Sequence, residues 1–216
     1  MDAQPNKPAF WTIGQWGALA CVLWAAALIS ASSIYLAGDL RSALGPMAYS
    51  LADFLAGPVS AASLGVLIFA LREHFNGHAP RRMSGVLLAG ALTAGALVLV
   101  ACIRAANRQY HLLHPDLHLE NNTNILVIWA TLVAGVSAAG WHFWGWVLTL
   151  IGSAGWTSGR LPRVLCVLTW LAGLAALFVY AVPNLEAAAV ALSFIWALWQ
   201  AALLWKTKPV AKPAAN

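Results

Sequence analysis

Apolar residues along this chain concentrate in six long runs, and most charged residues fall in the segments between them. The runs cover about residues 10–37, 46–71, 84–106, 123–157, 162–182 and 186–205. Each reaches or exceeds the roughly 20 residues that a helix needs to cross a bilayer. The pattern predicts an all-α integral membrane bundle of six transmembrane helices over residues 10–205. Polar, proline-containing tails flank it at 1–9 and 206–216. Punctuation supports the division. Pro46 suits the first turn of the second span. Ser158-Gly159 is a helix-ending signal, Pro162 restarts the chain, and Pro183-Asn184 makes a tight turn. The first run continues past Ser30-Ala31-Ser32 through Ile34, Tyr35 and Leu36, so it predicts a retained span rather than a cleaved leader.

The fourth run is too long for a simple crossing. Residues 124–156 alone would make a helix of roughly 50 Å, against a hydrocarbon core of about 30 Å. Two crossings would need a polar turn, and Ala139-Gly140-Trp141 offers none. One long, tilted helix is expected, with any bend near Gly135 or Gly140. A re-entrant segment is the alternative.

Composition agrees. Hydrophobic residues make up 61% and charged residues 9%, too few polar groups to cover the outside of a soluble domain. In a soluble protein the net charge of +5 would point to nucleic acid, but no basic stripe with interleaved aromatics exists. The basic residues report topology instead. Alternating from the N-terminus, one side receives Lys7, Arg72, Arg81, Arg82, Arg160, Arg163, Lys206, Lys208 and Lys212. The other receives Arg41, Arg104 and Arg108. Positive residues stay cytoplasmic, so both termini are expected inside.

Motifs of soluble enzymes are absent, which leaves polar residues at membrane depth and in the outer loops. Asp53 is the only carboxylate well inside a span, about 10 Å below the outer end if the helix starts at Pro46. Such a charge normally faces protein and has a partner. Arg104 is the expected partner. A helix-locking ion pair, a ligand or proton site, and a lone protonated Asp are the competing readings. If Arg104 is the partner, removing it alone should cost more than removing both residues. Arg108 and Glu186 complete the charged set on that side.

His142 is the only histidine inside an apolar run, among Trp141, Trp144 and Trp146. A core histidine and a haem or pigment ligand are both open, although a bis-histidine site would lack its second buried His. His111, His114 and His118, followed by Glu120, share one helical face and form a candidate metal site. The leucines among them equally suit a segment lying in the membrane interface. Cys21, Cys102 and Cys166 lie in separate runs with no metal or disulfide spacing.

The segment WGWVLTLIGSAGWTSGRLPRVL, from Trp144 to Leu165, resembles a bacterial membrane family catalogued as domain of unknown function 4386. Gly145, Gly152, Ser158, Gly159, Leu161, Pro162 and Arg163 carry the likeness, with Asp53 a further match. The resemblance implies about six helices in the bacterial cell inner membrane and brings no established activity. The expected function is therefore a non-enzymatic subunit or accessory protein of a membrane complex, packed through small residues such as Gly85, Gly90 and Gly95 against a partner or another copy. The alternatives are a haem- or metal-binding electron-transfer protein, and a small-ligand transporter or receptor.

Overall fold

The computed structural model describes residues 11–36, 40–75, 77–114 and 123–206. The described residues are helical with no strand. In order they form α1 (Ile13–Leu36), α2 (Leu40–Phe54), a π-helical turn (Leu55–Val59), α3 (Ser60–His74), α4 (Pro80–Leu113), α5 (Thr123–Ser158), α6 (Arg163–Phe178) and α7 (Leu185–Lys206). Among the described residues, five helical stretches are long and apolar enough to cross a membrane, and one of them, Met47–His74, joins the end of α2, the π turn and α3. The apolar α6 is shorter, at 16 residues.

The stretches pack side by side in sequence order, and α1 closes the ring against α7. Both ends of the chain's helical part therefore meet at one end of the bundle, here called proximal. Trp11 contacts Trp205 there, with ring centroids 6.1 Å apart. Arg82 at the start of α4 donates to Ser153 O, at 3.0 Å, and to Thr157 Oγ1 near the end of α5. Arg160 donates to His74 O, tying the α5–α6 turn to the end of α3. Midway along the bundle, Trp144 is the hub of an aromatic core. Its ring lies 4.8 Å from that of Trp24 and 5.5 Å from that of Trp196, and its Nε1 donates to Ser193 Oγ at 3.0 Å.

Close backbone approach at small residues sets several of these contacts. A Cβ on Gly145 would sit 2.8 Å from Gly173 O, so α5 and α6 meet almost backbone to backbone. Gly90 receives Ile68 and Gly85 faces Leu150, whereas nothing lies within 4 Å of Gly95 among the described residues.

Several sequence-based boundaries move. The second span does not start at Pro46: its helix begins at Leu40, and Pro46 is the seventh residue. The third runs to Leu113 instead of stopping near 106, because Arg104 through Leu113 continue the helix into the polar stretch. The fourth is one uninterrupted α-helix from Thr123 to Ser158, which removes the re-entrant alternative. It ends as expected, with Gly159 in the left-handed conformation at φ 65°.

Candidate functional site

The polar site at the other, distal end begins with a proline. Pro58 has no N–H to donate within its helix, and the chain accommodates it by widening to a π turn. The Ser60 hydroxyl donates to the Leu55 carbonyl at 2.8 Å. The widened turn presents Gly57 to α4, where an added Cβ would lie 2.4 Å from the Ala101 Cβ. That close approach sets the register of two antiparallel helices. Asp53 is one turn before Gly57, and Arg104 and Arg108 follow Ala101 by one and two turns on the same face. The three charged residues must therefore meet.

They do. Arg104 Nη1 lies 3.5 Å from Asp53 Oδ1, and Arg108 Nη1 donates a hydrogen bond to Asp53 Oδ2. The Asp53 side chain is 4% exposed, against 30% and 28% for the two arginines. The approach of Arg104 to Asp53 is as expected, but Arg108 holds the carboxylate more closely. It can do so because α4 remains helical beyond residue 106. The expectation that removing Arg104 alone strands the carboxylate is thereby corrected: Arg108 still partners it.

Beside this cluster lies a cavity of about 760 Å³. Residues from α1, the α2–α3 stretch, α4, α5 and the start of α7 line it. Trp24, Trp144, Ser60 and Thr93 form its buried depth. Asp53 and Arg104 stand in its wall, and the exposed residues Pro183, Asn184 and Glu186 form its rim. Trp141 also lines it and donates from Nε1 to Glu186 Oε1 at 3.1 Å. Arg108 does not line the cavity. Apolar atoms dominate the wall, with a few polar groups toward the distal end, the usual build of a small-molecule site.

No family model matches this chain, and no curated protein or solved structure matches it. The geometry must carry the functional argument alone.

The other sequence-derived sites fare differently. His142 is half-buried, and both ring nitrogens have partners. Trp146 Nε1 donates to Nε2 at 3.2 Å, and Nδ1 lies 3.4 Å from Leu177 O. The nitrogen that accepts from Trp146 has its lone pair engaged, so the arrangement is that of a hydrogen-bonded histidine and does not suit an axial ligand. The three tryptophans around it separate: Trp146 touches His142, Trp144 turns into the core, and Trp141 reaches the cavity rim. His111 is on α4, and His114 caps that helix with its ring 4.5 Å from Tyr110. His118 and Glu120 lie outside the described residues. Among the described residues no group of three or more His, Cys, Asp or Glu converges as metal ligands would.

Sequence reasoning missed the cavity's apolar depth and the Trp141–Glu186 bond. It also missed the Gly57-Pro58 device, although that dipeptide inside an apolar run was a readable signal.

Proposed function

We propose that this chain is a six-span protein of the bacterial cell inner membrane, with both termini cytoplasmic, that binds a small amphiphilic molecule and catalyses no reaction. The observation that carries this reading is the cavity, with its tryptophan-lined depth and charged wall. Its walls come from five parts of the ring, so closing the bundle is what creates it. The orientation is supported by Arg72, Arg81, Arg82, Arg160, Arg163 and Lys206, which all belong to the proximal segments. The apolar α6 serves as the remaining span. At about 24 Å it is short for the hydrocarbon core, a mismatch that local thinning of the bilayer accommodates. The likeness to domain of unknown function 4386 is in keeping with this architecture.

The test is to purify the protein in mild detergent, move it to nanodiscs and identify co-purifying small molecules by mass spectrometry. Ser137 lines the cavity from α5, and Ser137→Trp should fill it. A molecule retained by the wild type and lost from a Ser137→Trp variant of unchanged melting temperature is expected. Identical profiles would refute the reading.

The accessory-subunit reading is favoured by a different observation. No residue of α5 before Gly140 is buried, and Leu126, Val127, Ile128 and Leu132 are exposed there. A partner helix or a second copy would cover this face. Ile128→Glu should then shift the oligomeric state measured by mass photometry in nanodiscs, and an unchanged monomer in both proteins would count against it.

A further inference from the structure

Three arginines surround the α5–α6 turn at the proximal end, and among the described residues none of them meets a carboxylate. Arg82 donates to Ser153 O and Thr157 Oγ1. Arg160 donates to His74 O and lies 3.5 Å from His78 Nε2. Arg163 is exposed, with its guanidinium 5.6 Å from the centre of the Trp156 ring. Carbonyl and hydroxyl oxygens and an indole face hold these guanidiniums in place without cancelling their charge. Glu73 is the one carboxylate of the proximal segments among the described residues, and it is exposed and pairs with none of them.

Arg163 also heads an apolar stripe. Val167, Leu171, Leu174 and Phe178 follow it at helical spacing on one face of α6, and each is 44–53% exposed. The stripe is open because α6 packs its other sides against α5 and α7. Trp156 stands beside its proximal end, 46% exposed, with its ring centroid 5.3 Å from that of Trp170. From Arg163 to Leu174 is about 16 Å at the rise of an α-helix, roughly half the thickness of the hydrocarbon core.

We infer that the start of α6 is a binding site for an anionic phospholipid, whose phosphate meets Arg163 with Arg82 and Arg160 at the same turn, and whose chain lies along Val167, Leu171 and Leu174. This rests on the membrane-spanning reading above and not on the cavity. Charge and position both select this occupant. A lipid phosphate sits at the interface, where guanidinium donors match its oxygens and where an indole is also at home. A zwitterionic head group brings its own cation toward the same arginines and gains less from them. An acidic soluble protein would answer the charge but leave the stripe to other lipids.

The experiment titrates the full chain, in mild detergent, with phosphatidylglycerol or with phosphatidylcholine of the same acyl chains, and counts bound lipids by native mass spectrometry. The first phosphatidylglycerol should bind about fivefold or more tighter than the first phosphatidylcholine, the worth of one arginine beside an anionic head group. Arg163→Gln should remove about fivefold of that preference at an unchanged melting temperature, since the side chain is exposed. Arg81→Gln removes an equally exposed charge at the same end, on α4 rather than α6, and should leave the preference intact. Equal affinity for the two lipids would overturn the site, and that comparison on the wild type needs no variant to fold. Equal losses in the two variants would also overturn it, by assigning the preference to diffuse surface charge. Glycerol phosphate at the same concentration should not displace the lipid; displacement would show that a free phosphate suffices and would overturn the lipid assignment. Release of the chain from membranes by alkaline carbonate would remove the membrane-spanning reading itself, whereas a retained chain without lipid preference overturns this inference alone.

Discussion

The Asp53 cluster makes an ordered prediction about stability. Asp53 is buried and its two arginines are about 30% exposed. Breaking a fully buried pair by removing one partner costs about 3–5 kcal/mol, because a charge is left in a low-dielectric site. Here the penalty is divided. Arg108→Ala removes the closer contact but leaves Arg104 at 3.5 Å, so a cost of about 2–3 kcal/mol is expected after discounting for partial exposure. Arg104→Ala leaves the direct Arg108 bond and should cost only about 1 kcal/mol. The two changes should not add. With both arginines gone, Asp53 loses both of these contacts, and the loss should exceed the sum of the singles by about 1 kcal/mol or more. Adding Asp53→Asn to the double variant should recover part of the loss, since it removes the charge while keeping the shape. Reversible unfolding in mixed micelles, followed by far-UV circular dichroism, reads these differences. The reasoning fails if Arg104→Ala proves as costly as Arg108→Ala, or if Asp53→Asn brings no recovery in the double variant.

Other positions give independent checks. Gly57→Ala places a Cβ 2.4 Å from that of Ala101, so the π turn must move off α4, at about 1–3 kcal/mol; a melting temperature at or above wild type would contradict the packing. Trp144→Phe deletes the donor to the fully buried Ser193 and should cost about 1–3 kcal/mol, measured in the same unfolding assay. The Gln200 side chain is fully buried, and both its amide atoms are without a hydrogen-bond partner among the described residues. Gln200→Leu should therefore leave stability unchanged or raise it by about 1–3 kcal/mol, and a marked loss would reveal a polar partner for the amide.

Much of the architecture was readable because a bilayer imposes simple rules. Long apolar runs, Gly159 and the proline before α6 announced themselves by length and by local backbone chemistry. The pairing of Asp53 with Arg104 was legible for a similar reason, since a carboxylate inside an apolar run demands a partner from the adjacent antiparallel helix. The lead of Arg108 was not, because polar residues 107–111 read as loop although nothing in them breaks a helix. Proline misled in one place and was overlooked in another. Pro46 looked like a helix start and lies within α2, whereas Pro58 is the residue that reshapes the span. The cavity could not be read at all. It arises from the mutual placement of α1, the α2–α3 stretch, α4, α5 and α7 around Trp24 and Trp144, and side-chain periodicity on one helix carries no information about the gap left between five.

Helix register also places the ion pair against the bilayer, on the proposed orientation. A hydrocarbon core of about 30 Å spans roughly 20 residues of an upright helix. Arg82 bonds Ser153 and Thr157, and Trp156 lies 5.6 Å beneath the Arg163 guanidinium, which puts the inner interface near these residues. Some 20 residues further along α4 is the region of Arg104, and the same distance back along α5 is near Ser137. The Asp53 cluster therefore belongs at the outer edge of the hydrocarbon, where arginine can reach head groups and water. The register has a second consequence. Residues 123–135 of α5 then project past the hydrocarbon although they read TNILVIWATLVAG, and none of them is buried. Lipid tails cannot cover an apolar face at that height, and water covers it at a cost proportional to its area. The cavity and this face thus make separate demands. On the proposed readings, something small occupies the cavity between the helices, and a partner helix or a second copy covers the projecting third of α5.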